Sequence, residues 1–169
     1  AAEARAKRRV GLGITGLADA LIMCGARYGG PKALALTEAW LAVLCRSAYL
    51  ASTDLAAEKG SFPLFDREPY LAGEFVRALP DEVRKAIADK GIRNALLLSI
   101  APTGTISLLA DNVSSGIEPV FSFSYTRNVL MPDGTRKAEP VSDHAFRLHA
   151  REFGEAAPLP DAFVDVAGL

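Results

Sequence analysis

Cysteine is nearly absent. Cys24 and Cys45 are the only two in 169 residues, so no disulfide framework can hold this chain. Each sits among apolar neighbours in a helical pattern, and buried, reduced thiols are the expected state. An excess of one charge sign is lacking too, with 19 basic residues against 20 acidic and a formal net charge of −1. No attraction for a nucleic-acid polymer is therefore expected, although a mononucleotide needs only a few aligned dipoles. No uncharged stretch reads as long enough to span a membrane, and no secretory signal opens the chain, which predicts a soluble cytoplasmic protein with no membrane partner. Histidine is as scarce as cysteine: His144 and His149 stand five apart with no third ligand nearby, so no metal site is expected. Internal repeats and low-complexity segments are missing. An initiator Met is missing as well, and the opening residues read as the inside of a helix, so residues 1–169 are expected to be a single partial domain truncated at both ends.

Half of the residues are apolar, which is enough for a substantial core. Residues 92–100 form an apolar run containing Leu96, Leu97 and Leu98, a pattern suited to a strand covered on both faces. The run ends at Ala101-Pro102-Thr103-Gly104-Thr105-Ile106-Ser107, and residues 106–110 can begin a helix. The first backbone N–H groups of such a helix have no intrahelical partners and point beyond the strand end, which makes an anion cradle. Pro102 fixes the entry, Gly104 lets a ligand approach the backbone, and the hydroxyls of Thr103, Thr105 and Ser107 can donate to phosphate oxygens. The plainer alternative, equally compatible with the spacing, is that Thr103 or Thr105 merely caps a short helix. No Lys follows the glycine, which excludes a Walker-type phosphate loop.

Along the rest of the chain, Val10, Ile14, Leu17, Leu21 and Cys24 fall on one helical face and predict a single helix over residues 5–25. Gly11, Gly13 and Gly16 spell GxGxxG there, but no strand precedes them, so they read as a close packing contact and not as a dinucleotide site. Residues 31–59 give the longest helical signal, opened by Pro31, closed by Gly60 and expected to be largely buried, with Trp40 and Tyr49 in the core. Residues 61–73 read as irregular, and 74–90 as a solvated helix restarting near Pro80 and Asp81. Residues 111–119 form a polar loop able to close over a ligand through Asn112, Ser114 and Ser115. Its carboxylate, Glu118, can serve as an acid, a base or an orienting group, though bonding to loop amides is the more ordinary use. Phe121, Phe123 and Tyr125 alternate with polar residues as a strand with one aromatic face, and the turn Pro132-Asp133-Gly134-Thr135 predicts a hairpin pairing residues 126–131 with 135–139. Ser142 is the expected cap of a helix through Phe153, and the tail from Gly154 reads as a linker.

Residues 101–107, followed by Ser115-Gly116-Ile117-Glu118-Pro119-Val120-Phe121, resemble the large catalytic chain of ribonucleotide reductases, especially the adenosylcobalamin-dependent class II. The resemblance extends to Arg8-Arg9-Val10-Gly11-Leu12-Gly13, to Glu58-Lys59-Gly60-Ser61-Phe62-Pro63 and to Gly91-Ile92-Arg93-Asn94. It implies a mostly helical fragment of that family's ten-stranded α/β barrel, with a β-hairpin near residues 121–139. It also implies that Pro102, Thr103, Gly104, Thr105, Ile106 and Ser107 hold the phosphates of a ribonucleoside di- or triphosphate, and that the motif Gly116-Ile117-Glu118-Pro119 belongs to the barrel core; Ser115, Gly116 and Glu118 are the candidate residues of the loop over the site. The family's radical cysteine belongs to a motif with no match here, so neither Cys24 nor Cys45 inherits that role, and Glu118 is not the acid beside it. Adenosylcobalamin, a thioredoxin-like reductant and the remainder of the barrel are the implied cofactor and partners. The uncovered edges of a barrel fragment predict self-association. The sequence leaves two alternatives open: a phosphoester-binding segment of another α/β barrel enzyme, or a non-catalytic structural fragment.

Overall fold

The computed structural model describes residues 1–169. In chain order the elements are α1 (Ala2–Lys7), α2 (Leu17–Met23), α3 (Pro31–Lys59), α4 (Arg67–Ala72), α5 (Glu74–Arg77), α6 (Asp81–Lys90), α7 (Gly104–Leu109), β1 (Ser124–Leu130), β2 (Arg136–Ser142), α8 (His144–Phe153) and a closing 3-10 turn, Val166–Gly168. They fall into two units, Ala1–Gly13 with Glu38–Ser99, and Ile14–Thr37 with Ile100–Leu169.

In the first unit, the core gathers Tyr49, Phe62, Val76, Leu79, Val83, Ile87, Ile92 and Leu97. Pro31 opens α3 at the expected place, and Gly60 follows its end at φ 77°, a conformation that costs glycine little. Only one stripe of α3 in this unit is covered: Tyr49, Ser52, Thr53 and Ala56, at spacings of three and four, are buried. Val43 is 65% exposed and Leu34 64%, so the expectation that this helix is largely buried is corrected. Its apolar character was read rightly, but apolar faces are not all covered faces. At 29 residues, with a mean hydropathy of 1.3 over its most apolar window, α3 is also long and apolar enough to cross a membrane, contrary to the sequence expectation. In the polar face, Arg46 pairs with Glu82 of α6. Helix α6 starts at Asp81 as expected and buries Val83 and Ile87 completely. Residues 61–73 are less irregular than expected, since they contain α4.

The single helix expected over residues 5–25 does not form. Arg8 adopts a left-handed conformation (φ 47°) and ends α1, after which the chain runs extended. Val10 N–H donates to Leu96 O at 3.0 Å, Leu12 N–H to Leu97 O at 2.8 Å, and Ser99 N–H returns to Leu12 O at 3.0 Å. Backbone pairing of this kind is non-local, and it overrides a helical period that the side chains alone satisfy. The expected close packing of the glycines is present in this extended form: a Cβ on Gly13 would lie 2.3 Å from Ser99 O. Residues 92–100 form no continuous strand. They contribute one parallel bridge, Leu98 to Leu12, with Leu97 covered by the core of this unit and Leu96 exposed on the other face.

The second unit is built on Ala18, Ile22, Val120 and Ala145, with Tyr28, Phe123 and Phe163 packed around them. The hairpin forms, antiparallel from Ser124↔Ser142 to Leu130↔Arg136, a register that extends beyond the expected strands. The aromatic face divides: Phe121 meets Tyr125 at 6.1 Å between centroids, whereas Phe123 stacks on Phe146 at 5.7 Å. Asp143, and not Ser142, caps α8, its carboxylate accepting from Phe146 N–H at 3.0 Å. The tail is no linker here, since Val120 bridges Asp165 and both Ala162 and Val164 are buried. Both cysteines are free, but Cys24 is exposed and Cys45 half-buried, which corrects the expectation of two buried thiols. Burial pushes the Cys45 thiol up.

Candidate functional site

Thr103 opens α7 from a left-handed conformation, φ 50° and ψ 21°, and no side chain caps that helix. The capping alternative therefore does not hold for either threonine. Instead the Thr103 hydroxyl turns inward, accepting from Gly116 N–H at 2.7 Å and lying 2.9 Å from the Thr15 hydroxyl. Ser107 is buried, and its hydroxyl donates to Gly104 O at 3.0 Å and lies 3.3 Å from the Ser115 hydroxyl. Two of the three hydroxyls expected to face a ligand thus close the loop on itself. Pro102, Gly104, Thr105 and Ile106 are exposed. The outward set consists of the first backbone N–H groups of α7, which a helix of this form leaves without intrahelical acceptors, and the Thr105 hydroxyl. Nothing lies within 4 Å of where a Cβ on Gly104 would stand, so the backbone there is open to approach.

The polar loop that follows meets this stretch at Gly116, buried at φ 52°. Glu118 is exposed, and only its backbone N–H is bonded, to Ser115 O at 2.8 Å, so its carboxylate does not hold the loop amides. A cavity of about 120 Å³ runs beside the loop, lined among others by Gly104, Ser107, Ser115, Glu118 and Arg127. Arg127 is the one basic side chain along it.

Ser114, already singled out in the polar loop, and Asp19, which the motif reading passed over, hold this arrangement. Ser114 is clasped by the start of α2: its O accepts from Gly16 N–H at 2.8 Å and from the Thr15 hydroxyl at 3.0 Å, and its Oγ accepts from Ala18 N–H at 3.1 Å. Asp19, 1% exposed, accepts from Ser114 N–H at 2.6 Å and from Ala145 N–H at 3.0 Å. The available signal was a lone carboxylate inside the apolar run Leu17-Ala18-Asp19-Ala20-Leu21, because a buried acid needs donors from somewhere. At the loop's near end, Asp111 is held below the usual carboxylate range by bonds from His144 and Arg147.

Asp143, also passed over, caps α8 beside Asp19 and lies outside the clasp. Burial, and then repulsion from the Asp19 carboxylate, push it up from 3.8 to about 6, against the pull of the Phe146 and Ala145 N–H groups and Arg147. The folded state therefore holds this proton more tightly than the unfolded state. The resulting stability is fully present below about pH 4 and is lost as pH rises to about 6. Asp143→Asn keeps a good cap while removing the titration. Its denaturant midpoint is expected to stay flat between pH 4 and 6, where the wild type falls, and to exceed the wild type at pH 7.

Fold and loop together define a mostly helical α/β segment with an open helix start beside a clasped polar loop. Residues 1–150 match the family model for the ribonucleotide reductase barrel domain, and the chain belongs to that family. It is 38% identical over 127 residues to a vitamin B12-dependent ribonucleoside-diphosphate reductase of Mycobacterium tuberculosis, covering 75% of this chain and 16% of the relative. A protein of the same description from Thermoplasma acidophilum is 33% identical over 152 residues, 89% of this chain and 17% of the relative. The ribonucleoside-diphosphate reductase large subunit of Arabidopsis thaliana is 32% identical over 133 residues, 73% and 16% respectively. The chain spans 16% to 17% of the length of these relatives. Family membership replaces the alternative of a different α/β barrel enzyme.

Proposed function

We propose that this chain is a segment of a ribonucleotide reductase that converts ribonucleotides to deoxyribonucleotides by radical chemistry, and that residues 102–107 hold the substrate phosphates. The observation that carries the site reading is the uncapped start of α7 on exposed residues. Backbone N–H groups of Gly104, Thr105 and Ile106 and the Thr105 hydroxyl bind phosphate oxygens, Arg127 adds charge at the rim, and Ser115 and Gly116 fix the covering loop. Holding the phosphates orients the ribose toward chemistry supplied by the rest of the enzyme. The relatives' names favour a ribonucleoside diphosphate over a triphosphate.

Adenosylcobalamin is the proposed radical source, supported by the B12-dependent relatives. No group of three or more His, Cys, Asp or Glu side chains of this chain comes together to hold a metal ion, and no residue here is assigned to the cofactor. A thioredoxin-like reductant, closure of a ten-stranded barrel by the remainder of the protein, and a cytoplasmic setting complete the proposal. The purified 169-residue chain is expected to turn over no ribonucleotide, even with cofactor and reductant supplied, and to form dimers or larger species through its exposed apolar faces. Turnover, or a clean monomer by light scattering across micromolar concentrations, would contradict this.

A further inference from the structure

Asp19 is a buried carboxylate with no cationic partner, in a helix whose neighbours are apolar. Its two oxygens are spent on backbone N–H groups of two other segments, Ser114 at 2.6 Å and Ala145 at 3.0 Å. Ser114 in turn is strapped to the first turn of α2 through its O and its Oγ. Two residues on, Gly116 N–H reaches the Thr103 hydroxyl at 2.7 Å, and Thr15 Oγ1 stands between the strands of this network, 3.0 Å from Ser114 O, 3.3 Å from Gly116 N and 2.9 Å from Thr103 Oγ1. The left-handed residue that aims the α7 N–H groups is thus held by a loop that Asp19 holds.

We infer that Asp19 is a positioning residue for the phosphate loop, acting through Ser114, Gly116 and Thr15 to fix Thr103 in the conformation that turns the first N–H groups of α7 toward a nucleotide phosphate. This rests on the phosphate-site reading above. The charged groups facing the network do not replace Asp19: Arg147 and His144 are taken by Asp111, and the Asp143 carboxylate accepts from Phe146.

Asp19→Asn retains the shape but offers one oxygen where two are needed, so an amide NH₂ faces either Ser114 N–H or Ala145 N–H, donor against donor. Ser114 must shift, and a displacement of even about 1 Å matters to a site built on fixed dipoles. The readout is the ratio of affinities for a ribonucleoside diphosphate and for the same nucleoside, measured by titration calorimetry on the full-length enzyme. In Asp19→Asn that ratio is expected to fall about tenfold or more while nucleoside affinity is kept, and Asp143→Asn, which leaves the clasp intact, should keep the wild-type ratio. Thr15→Val removes the bridging hydroxyl at nearly constant volume and is expected to lower the ratio in the same direction, which keeps the inference testable should Asp19→Asn fail to fold. A folded Asp19→Asn with the wild-type ratio, or a wild-type ratio in Thr15→Val where Asp19→Asn is unfolded, overturns the role given to Asp19 and leaves the phosphate site standing. A wild type that binds diphosphate no better than nucleoside overturns both.

Discussion

Gly116→Ala is expected to destabilise the protein by roughly 2–4 kcal/mol and to open the loop it closes. Gly116 sits at φ 52°, where a Cβ costs about 1–2 kcal/mol through its approach to the following carbonyl. The added atom would also stand 2.6 Å from Ala101 O, a backbone atom with no freedom to swing aside. Relief requires residues 101 and 116 to separate, which breaks the bond from Gly116 N–H to Thr103 Oγ1 and the bond at 3.3 Å from Leu17 N–H to Gly116 O. Denaturant unfolding of the full-length protein measures the loss. Gly104→Ala is the comparator: nothing lies within 4 Å of its Cβ position, and its stability should be little changed.

Thr105→Asp carries the second large effect, on binding and not on folding. In the first turn of α7 a carboxylate is favoured by the helix dipole, by about 0.3–1 kcal/mol at most in so short a helix. Thr105 is exposed, so no core contact is lost. The same carboxylate would face a bound phosphate, and two unit charges about 4 Å apart repel by roughly 4 kcal/mol at an effective dielectric near 20, less in salt. The repulsion exceeds the helix gain several-fold. Nucleotide affinity should fall by about tenfold or more, at about 1.4 kcal/mol per tenfold, with the melting temperature nearly unchanged.

The elements legible in the sequence are those that local chemistry punctuates. Pro31 and Gly60 bracket α3, Pro80 precedes α6, and the Asp133-Gly134 turn closes the hairpin. Legibility fails where a non-local partner decides. Residues 8–13 have a helical apolar period, yet pairing with residues 95–99 draws them out straight. For α3 the pattern told which faces are apolar, whereas which face is covered depends on α6 and on residues 61–97. The cap of α8 moved by one residue because Ser142 and Asp143 both offer a suitable oxygen, and Ser142 Oγ is already bonded to Phe123 O at 3.1 Å. The loop at 101–107 was visible as a motif, but the hydroxyls that close it could not be told from those that face outward. Which hydroxyl turns inward depends on how the loop at Ser115 and Gly116 folds back and on Thr15, which is separated from Thr103 by 88 residues.

Whether the open start of α7 binds phosphate decides the function proposed for this loop. Titration calorimetry of the full-length wild type and Thr105→Asp with a ribonucleoside diphosphate and with the bare nucleoside tests it most directly. The wild type is expected to bind the diphosphate at least about tenfold more tightly than the nucleoside, and Thr105→Asp to lose that gain while its nucleoside affinity and melting temperature hold. Equal affinities in the wild type, or an undiminished gain in a folded Thr105→Asp, would contradict it.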